Sequence, residues 1–170
     1  MSKDPRSLFE DYGQESVREQ VHHMVCVHGS AGYLEEPGSL TVAREHSGLR
    51  IEARGDTRAI VSIPIPTTLV FKGSRLAVRS ILLDFTASPG VALNSVRIFS
   101  GSRLISSHDE LSYSGRNRYR QFEIEADWKL NMALSVSAAV GFGSGYGYFN
   151  LVSVSAVFIE RVSTNDADAP

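Results

Sequence analysis

The densest group of residues that could bind a metal lies early in the chain, in the segment His22-His-Met-Val-Cys-Val-His28. On an extended strand alternate side chains point the same way, so His22, Cys26 and His28 would share one face and His23 would lie on the other. Imidazole and thiolate are the ligands that zinc prefers, but a structural zinc site needs about four of them. Since no spacing identifies a fourth ligand, we predict that the protein binds no metal. If it did bind one, the candidate ligands would be His22, Cys26 and His28.

The segment Ser107-His108-Asp109 contains the residue types of a nucleophilic triad. Neighbouring residues on an extended chain point to opposite faces, so the three cannot pass a proton as a set. The sequence also contains no Gly-x-Ser-x-Gly nucleophile elbow. The segment therefore predicts no catalysis.

The most basic stretch of the chain is Arg116-Asn-Arg-Tyr-Arg120. If this stretch enters a strand, Arg118 and Arg120 share a face and could bind a phosphate or a carboxylate in bidentate fashion. Acidic residues follow at once and could neutralise this patch across the sheet; they are Glu123, Glu125 and Asp127. An ordinary charged sheet face is therefore the alternative interpretation.

A glycine-rich aromatic segment, residues 141–149, is the strongest candidate for recognition. Its four glycines alternate with or flank the aromatic residues Phe142, Tyr146, Tyr148 and Phe149. We predict a flexible loop whose aromatic side chains stack on a sugar, contact a partner or anchor at a membrane interface. The alternative is a wide hairpin whose aromatic side chains fold back onto the core. A phosphate cradle is excluded, because no helix follows the glycines.

Strand-length apolar stretches separated by glycine turns must position these residues. Two of them alternate with a period of two: Leu134–Phe142, with Ser135 and Ser137 opposite, and Val152–Phe158. The pattern predicts about nine strands and an all-β fold, a two-sheet antiparallel β-sandwich of the jelly-roll or immunoglobulin-like type. Pro64 and Pro66 indicate a strand end or a protected edge. The pair Gly55-Asp56 predicts a hairpin turn, and not an adhesion site, at Arg54-Gly-Asp56.

The sequence divides into three regions. Residues 1–20 are polar and acidic and predict a mobile or short-helical arm, since Ser7-Leu-Phe-Glu10 could form a capping box. Residues 21–161 form the β-sandwich domain. Residues 162–170 contain almost nothing to bury and predict a disordered tail.

Three segments resemble a small family of single-domain β-sandwich proteins classed as a domain of unknown function. They are Val27-His-Gly-Ser30, Ile63-Pro-Ile-Pro-Thr67 and Val96-Arg-Ile-Phe99. The chain departs from the family's pattern in reading Ile-Pro-Ile-Pro-Thr, and in carrying Ser100-Gly101 where the family has Asp-Gly. The resemblance covers residues 25–160. It implies the fold, and it supplies no activity and no catalytic residue.

Composition narrows the functional classes. The 170 residues are 42% hydrophobic and 21% charged, which is typical of a globular domain. The net charge of −2 gives no general attraction to nucleic acid or to an anionic membrane. The single cysteine excludes an internal disulfide, and no apolar stretch is long enough for a transmembrane segment. With no secretory signal at the start, we expect a cytoplasmic protein.

The sequence is compatible with two hypotheses about function. The first is a non-catalytic binding module without a cofactor, self-associating as a homo-oligomer and recognising a partner, a small molecule or a carbohydrate through its loops. The second is a small-molecule-binding enzyme of the cyclase or isomerase type, with a pocket between the sheets or at their mouth and polar groups such as Tyr113, Tyr119 or a buried histidine. A cavity of about 300 Å³ or more with convergent polar groups would favour the enzyme, and a closed core would favour the binding module.

Overall fold

In the computed structural model the described residues are 18–67, 70–71, 74–124 and 132–162. They form thirteen β-strands: β1 (Arg18–His28), β2 (Tyr33–Leu34), β3 (Thr41–Glu45), β4 (Gly48–Arg54), β5 (Thr57–Ile65), β6 (Val70–Phe71), β7 (Ser74–Arg75), β8 (Ala77–Ala87), β9 (Val91–Ser100), β10 (Arg103–His108), β11 (Gly115–Glu123), β12 (Leu134–Phe142) and β13 (Tyr146–Val162). A single 3-10 turn, Gly29–Ala31, follows β1. Among these residues there is no helix with the length and apolar character that crossing a membrane requires.

Eleven of these strands form two antiparallel sheets, which confirms the predicted two-sheet sandwich. The larger sheet has the order β11-β8-β13-β4-β3, and β1 also pairs with β13. The smaller sheet has the order β10-β9-β12-β5-β2, and β6 and β7 form a separate two-stranded ladder. From the sequence we expect about nine strands, and the structure has thirteen in the described residues. Arg18–Gln20, which the sequence placed in the N-terminal arm, belong to β1, and residues 1–17 lie outside the described residues.

The order of the strands is that of a jelly roll. Among the strands of the two sheets, from β4 onwards the chain passes from one sheet to the other at every connection except the one between β9 and β10, which pair with each other. Two four-stranded layers result, β11-β8-β13-β4 and β10-β9-β12-β5, to which the short strands are added at the margins. Of the two sandwich types that the sequence left open, the structure therefore has the jelly roll.

The predicted hairpin at Arg54-Gly-Asp56 is wrong. Gly55 does form a tight turn with a φ of +78°. However, β4 and β5 belong to different sheets, so the turn connects the two layers. The Gly-Asp pair specifies a local backbone conformation, and it does not specify whether the next strand pairs with the previous one.

The core lies between the sheets, and β12 contributes the side chains predicted for it. Leu134, Val136, Val140 and Phe142 are all buried. The prediction that Pro64 marks a protected edge also fits the structure, because β2 covers β5 only at Val61 and Ser62. A strand edge without a full partner tolerates a residue that lacks an N–H.

The long strand β13 holds the larger sheet together. On one side it pairs with β8 from Phe149 to Ile159. On the other side it pairs first with β4, from Tyr146 to Leu151, and then with β1, from Ser153 onwards. The strands β1 and β4 therefore follow one another along the same edge of β13. A register shift between Leu151 and Ser153 marks the junction.

Candidate functional site

Several crossovers between the sheets meet at one end of the sandwich. The N–H of Gly55 donates to the carbonyl of Gly145 at 3.1 Å, and the N–H of Gly143 donates to the carbonyl of Gly90 at 2.8 Å. The hydroxyl oxygen of Ser88 accepts from the N–H of Tyr148 at 2.9 Å. These bonds tie together the β4–β5, β8–β9 and β12–β13 connections. Between them lies a cleft of about 200 Å³, lined by residues 89–91 and 143–147.

The predicted aromatic loop is shorter than expected, because β12 continues to Phe142 and β13 begins at Tyr146. Phe142 is 5% exposed and Phe149 is fully buried, with its ring 5.2 Å from the ring of Phe85. These two side chains are core, as the alternative interpretation proposed, and they offer no surface to a ligand. Tyr146, by contrast, is 57% exposed, and Tyr148 is partly exposed.

Two charged residues of β4 lie beside the tyrosines on the outer face of the larger sheet. In the ladder between β13 and β4, Tyr148 lies opposite Glu52. Two residues further along the same face, Asn150 lies opposite Arg50. The guanidinium carbon of Arg50 lies 4.1 Å from the centroid of the Tyr148 ring. Its Nε lies 2.7 Å from Oε1 of Glu52. We call this group, Arg50, Glu52, Tyr146 and Tyr148, the tyrosine site.

Hydrogen bonds fix the charges of the tyrosine site. The Arg50 guanidinium, hydrogen-bonded to the carboxylate, holds the pKa of Glu52 below its usual range, and the Tyr146 hydroxyl acts in the same direction. The hydrogen bond to Glu52 in turn raises the pKa of Arg50. The site therefore presents an ionised acceptor, an ionised donor and aromatic surface side by side. This combination suits a ligand that carries both hydroxyl groups and C–H faces.

The structure separates Arg118 and Arg120, which the sequence placed on one face. Asn117 pairs with Phe85 and Arg120 pairs with Leu83, so a bulge at residues 118–119 interrupts the alternation. The guanidinium carbon of Arg120 lies 3.8 Å from the centroid of the Tyr113 ring, while Arg118 is exposed in the bulge. The expected shared face is therefore not formed.

Of the acidic residues that follow this stretch, the structure describes Glu123 alone, and its carboxylate contacts Arg79 and Gln121, which both lie outside Arg116–Arg120. Glu123 lies 3.3 Å from Arg79 and accepts a hydrogen bond from Gln121 at 2.9 Å. Glu125 and Asp127 lie outside the described residues.

The candidate metal ligands do not come together among the residues that the structure describes. His28 contacts the Ser30 hydroxyl through Nδ1 at 2.8 Å and the carbonyl of His46 through Nε2 at 3.0 Å. Cys26 is exposed, and His22 lies at a register shift of β1, with its side chain outside the description. Within the described ranges, no group of at least three His, Cys, Asp or Glu side chains could hold a metal ion.

The Ser107–Asp109 segment has the alternating arrangement that the sequence predicted. Ser107 donates to the carboxylate of Asp109, which lowers the pKa of Asp109, with Arg97 nearby as a further cause. His108 instead contacts the carbonyl of Glu123 through Nε2 at 2.9 Å. The Ser106 hydroxyl lies 3.2 Å from the same nitrogen. Since a carbonyl can only accept, Nε2 donates its proton to the carbonyl of Glu123 in this arrangement and is not free to take one from Ser106. The segment has no triad geometry.

A groove of about 580 Å³ lies on the side of the sandwich near the end of β5. It is lined by Val27, Ala31, Ala133 and residues 64–67. Thr67 supplies the one polar side chain in this lining, and its hydroxyl already accepts from the N–H of Leu134 at 3.0 Å and donates to the carbonyl of Ile65 at 2.9 Å. The groove has the size of a ligand site, but the described residues that line it provide no convergent polar groups. It gives the enzyme hypothesis no support.

No protein-family model matches the chain, and no curated protein matches it either. Solved structures of similar fold include the carbohydrate-binding module TmCBM61 in complex with β-1,4-galactotriose, at 7% identity and a TM-score of 0.43, covering 77% of this chain and 87% of that one. An exo-β-1,3-galactanase from Phanerochaete chrysosporium with galactose gives 16% identity and a TM-score of 0.41, covering 81% of this chain and 30% of that one.

A Stig cyclase from Fischerella sp. TAU gives 8% identity and a TM-score of 0.36, covering 82% of this chain and 88% of that one. At such identities the similarity concerns the sandwich fold alone. The resemblance noted in the sequence likewise stays at the level of the fold.

Proposed function

We propose that the chain is a non-catalytic recognition module whose tyrosine site binds a hydroxyl-rich ligand, a carbohydrate. The observation that carries this proposal is the position of Tyr146 and Tyr148 on an outer sheet face, next to the ion pair of Arg50 and Glu52. An exposed aromatic ring offers a large, rigid surface for the C–H face of a sugar. The carboxylate accepts hydrogen bonds from hydroxyl groups and the guanidinium donates to their oxygens.

The four side chains are held before any ligand arrives. Arg50 covers one face of the Tyr148 ring and bonds to Glu52, and the Tyr146 hydroxyl is close enough to Glu52 to help lower the pKa of its carboxylate. A ligand therefore loses little affinity to the ordering of these side chains, since much of that entropy has already been lost. Four of the eight residues that line the neighbouring cleft are glycines, so a ring can approach the backbone there.

The double replacement Tyr146→Ser with Tyr148→Ser tests the proposal. We expect it to weaken carbohydrate binding by about tenfold or more, because exposed tyrosines are typical anchors of an interface. The thermal midpoint should change by only a few degrees, since the fully buried neighbours Phe85 and Phe149 are untouched. Binding is measured on a glycan array and then by calorimetry, and the midpoint by differential scanning calorimetry.

Tyr33→Ser is the matched control, because Tyr33 is 52% exposed but lies in the smaller sheet. It should leave carbohydrate binding unchanged. A fall of many degrees in the midpoint of the double variant would mean that the tyrosines stabilise the fold. Binding that survives the double replacement, or a wild-type protein that binds no carbohydrate, would also contradict the proposal.

Self-association and a cytoplasmic location stay predictions. The feature that favours self-association is β1, whose ladder in the described residues is formed with β13 alone. The segment from Val21 to His28 contains no proline or charged lysine to protect the free edge, and Met24 is 58% exposed. We expect native mass spectrometry to show dimers that Met24→Lys reduces. A purely monomeric protein would contradict this expectation.

A further inference from the structure

A row of side chains crosses the outer face of the larger sheet and connects the tyrosine site to β11. In the strand register Arg116 is paired with Thr86, Thr86 with Asn150, and Asn150 with Arg50. All four residues therefore lie on the same face. Three strand spacings separate Arg116 from Arg50, a distance of about 14 Å between their backbones. A single sugar ring cannot contact both arginines, but a chain of sugars can.

The bulge of β11 places a second arginine at the same end of this row. Arg118 and Tyr119 form the extra length of the bulge, opposite Asp84 of β8. Tyr119 has a φ of +51° and is 64% exposed. A non-glycine residue in this region is strained, and such strain often accompanies binding sites. The strained turn here directs an aromatic ring and its neighbouring arginine away from the sheet.

The arginines at this end lack carboxylate partners among the described residues. Neither Arg116 nor Arg118 forms an ion pair there, and Arg120 lies over the ring of Tyr113. Glu123 is bonded to Arg79 and Gln121, and Asp84 stands opposite the bulge without an ion pair within 4.0 Å. We call the end of the row formed by Arg116 and Arg118 the arginine corner. It therefore has an excess of positive charge.

We propose that the arginine corner binds the anionic group of an acidic polysaccharide whose hydroxyl-rich part lies on the tyrosine site. This inference rests on the proposed function and names the class of carbohydrate. A guanidinium binds a carboxylate through two parallel hydrogen bonds, and it binds a sulfate ester oxygen pair in a similar way. The shared chemistry is an oxyanion attached to a sugar, supplied either by a uronate or by a sulfate ester.

Calorimetry with two pairs of probes tests the inference. The first pair is an α-1,4-linked oligogalacturonate and its fully methyl-esterified counterpart, which has the same rings without the charge. The second pair is a sulfated galactan oligosaccharide and its desulfated form. We expect the charged member of one pair to bind about tenfold more tightly, because a hydrogen bond between charged groups is stronger than one between neutral groups. The preference should decrease as salt is added.

Variants connect this preference to the arginine corner. Arg116→Gln with Arg118→Gln should abolish the preference for the charged probe and leave the affinity for the neutral probe unchanged. Arg58→Gln, which removes one positive charge from an exposed position of the smaller sheet, should leave both affinities as they are.

Each outcome distinguishes the inference from the proposed function. A preference in the first pair identifies a uronate as the anion, and a preference in the second identifies a sulfate ester. Equal affinity for charged and neutral probes, or a preference that survives in the double variant, overturns the inference and leaves the proposed function standing. A failure to bind any of these probes or any glycan contradicts both.

Discussion

Replacing Phe149 with alanine is expected to lower the free energy of unfolding by about 3–5 kcal/mol. The side chain is fully buried, and its ring stacks on Phe85 with an angle of 28° between the planes. It lies on the central strand of the larger sheet, between Ile51 of β4 and Ala87 of β8. Its removal would leave a cavity that the surrounding strands cannot close, because all three are fixed by their ladders. Urea denaturation measures the loss.

Tyr146→Ser is the control for this prediction, since Tyr146 lies on the same strand but faces outwards. We expect a loss below about 1 kcal/mol for this surface replacement. A small loss for both variants would show that the aromatic segment is not part of the core. Equally large losses would show that Tyr146 stabilises the fold and is not available to a ligand.

Replacing Gly48 with alanine is expected to cost about 3 kcal/mol or more, because overpacking and a disfavoured backbone conformation each contribute about 1–3 kcal/mol. Gly48 has a φ of +133°, and a Cβ there would overlap the carbonyl oxygen of Leu151. A Cβ at Gly29 would overlap the same oxygen. The two glycines lie where β13 changes its partner from β4 to β1, and the obstacle is backbone that cannot rotate away.

Gly55→Ala separates the two causes. Gly55 also has a positive φ, of +78°, but a Cβ there would meet nothing within 4 Å. Its replacement should cost about 1 kcal/mol, from backbone strain alone. Thermal or urea denaturation of the two variants measures the difference. Equal losses would show that the approach of Gly48 to Leu151 is looser than the structure indicates.

The sheets could be predicted from the sequence where the alternation of side chains is regular. In Leu134–Phe142 every second residue from Leu134 is apolar, and this predicted core face is buried. The partner of each strand could not be predicted in this way, because pairing joins residues far apart in the chain. The turn at Gly55 shows the limit: its residues specify the bend, but the strand that follows lies in the other sheet.

Bulges explain why only part of the candidate site could be predicted. The regular alternation of Val154, Ala156 and Phe158, continued backwards, would place Tyr146 and Tyr148 in the core. The register shift between Leu151 and Ser153 reverses the phase, so that the tyrosines face outwards and Phe149 faces inwards. A similar irregularity separates Arg118 from Arg120. The residue types in these two segments do not predict that a bulge adds an extra residue there.

The charged half of the tyrosine site was missed for a different reason. Arg50 and Glu52 alternate with apolar residues in a predicted strand, which is ordinary for a half-exposed sheet. Only the pairing of β4 with β13 brings them beside Tyr148, which lies 96 positions after Glu52 in the sequence. The alternation in the sequence therefore predicts that Arg50 and Glu52 face outwards, but it does not predict that they lie beside Tyr148.

The most direct test of the account is a nuclear magnetic resonance titration of the isotope-labelled protein with the oligosaccharide that binds best on the glycan array. Binding at the proposed place predicts that the largest changes in amide chemical shift fall on residues of β4 and β13 around Arg50, Glu52, Tyr146 and Tyr148, and that they disappear in the Tyr146→Ser, Tyr148→Ser variant. Changes centred on the apolar groove near Val27 and Pro66, or persisting in that variant, would contradict the account.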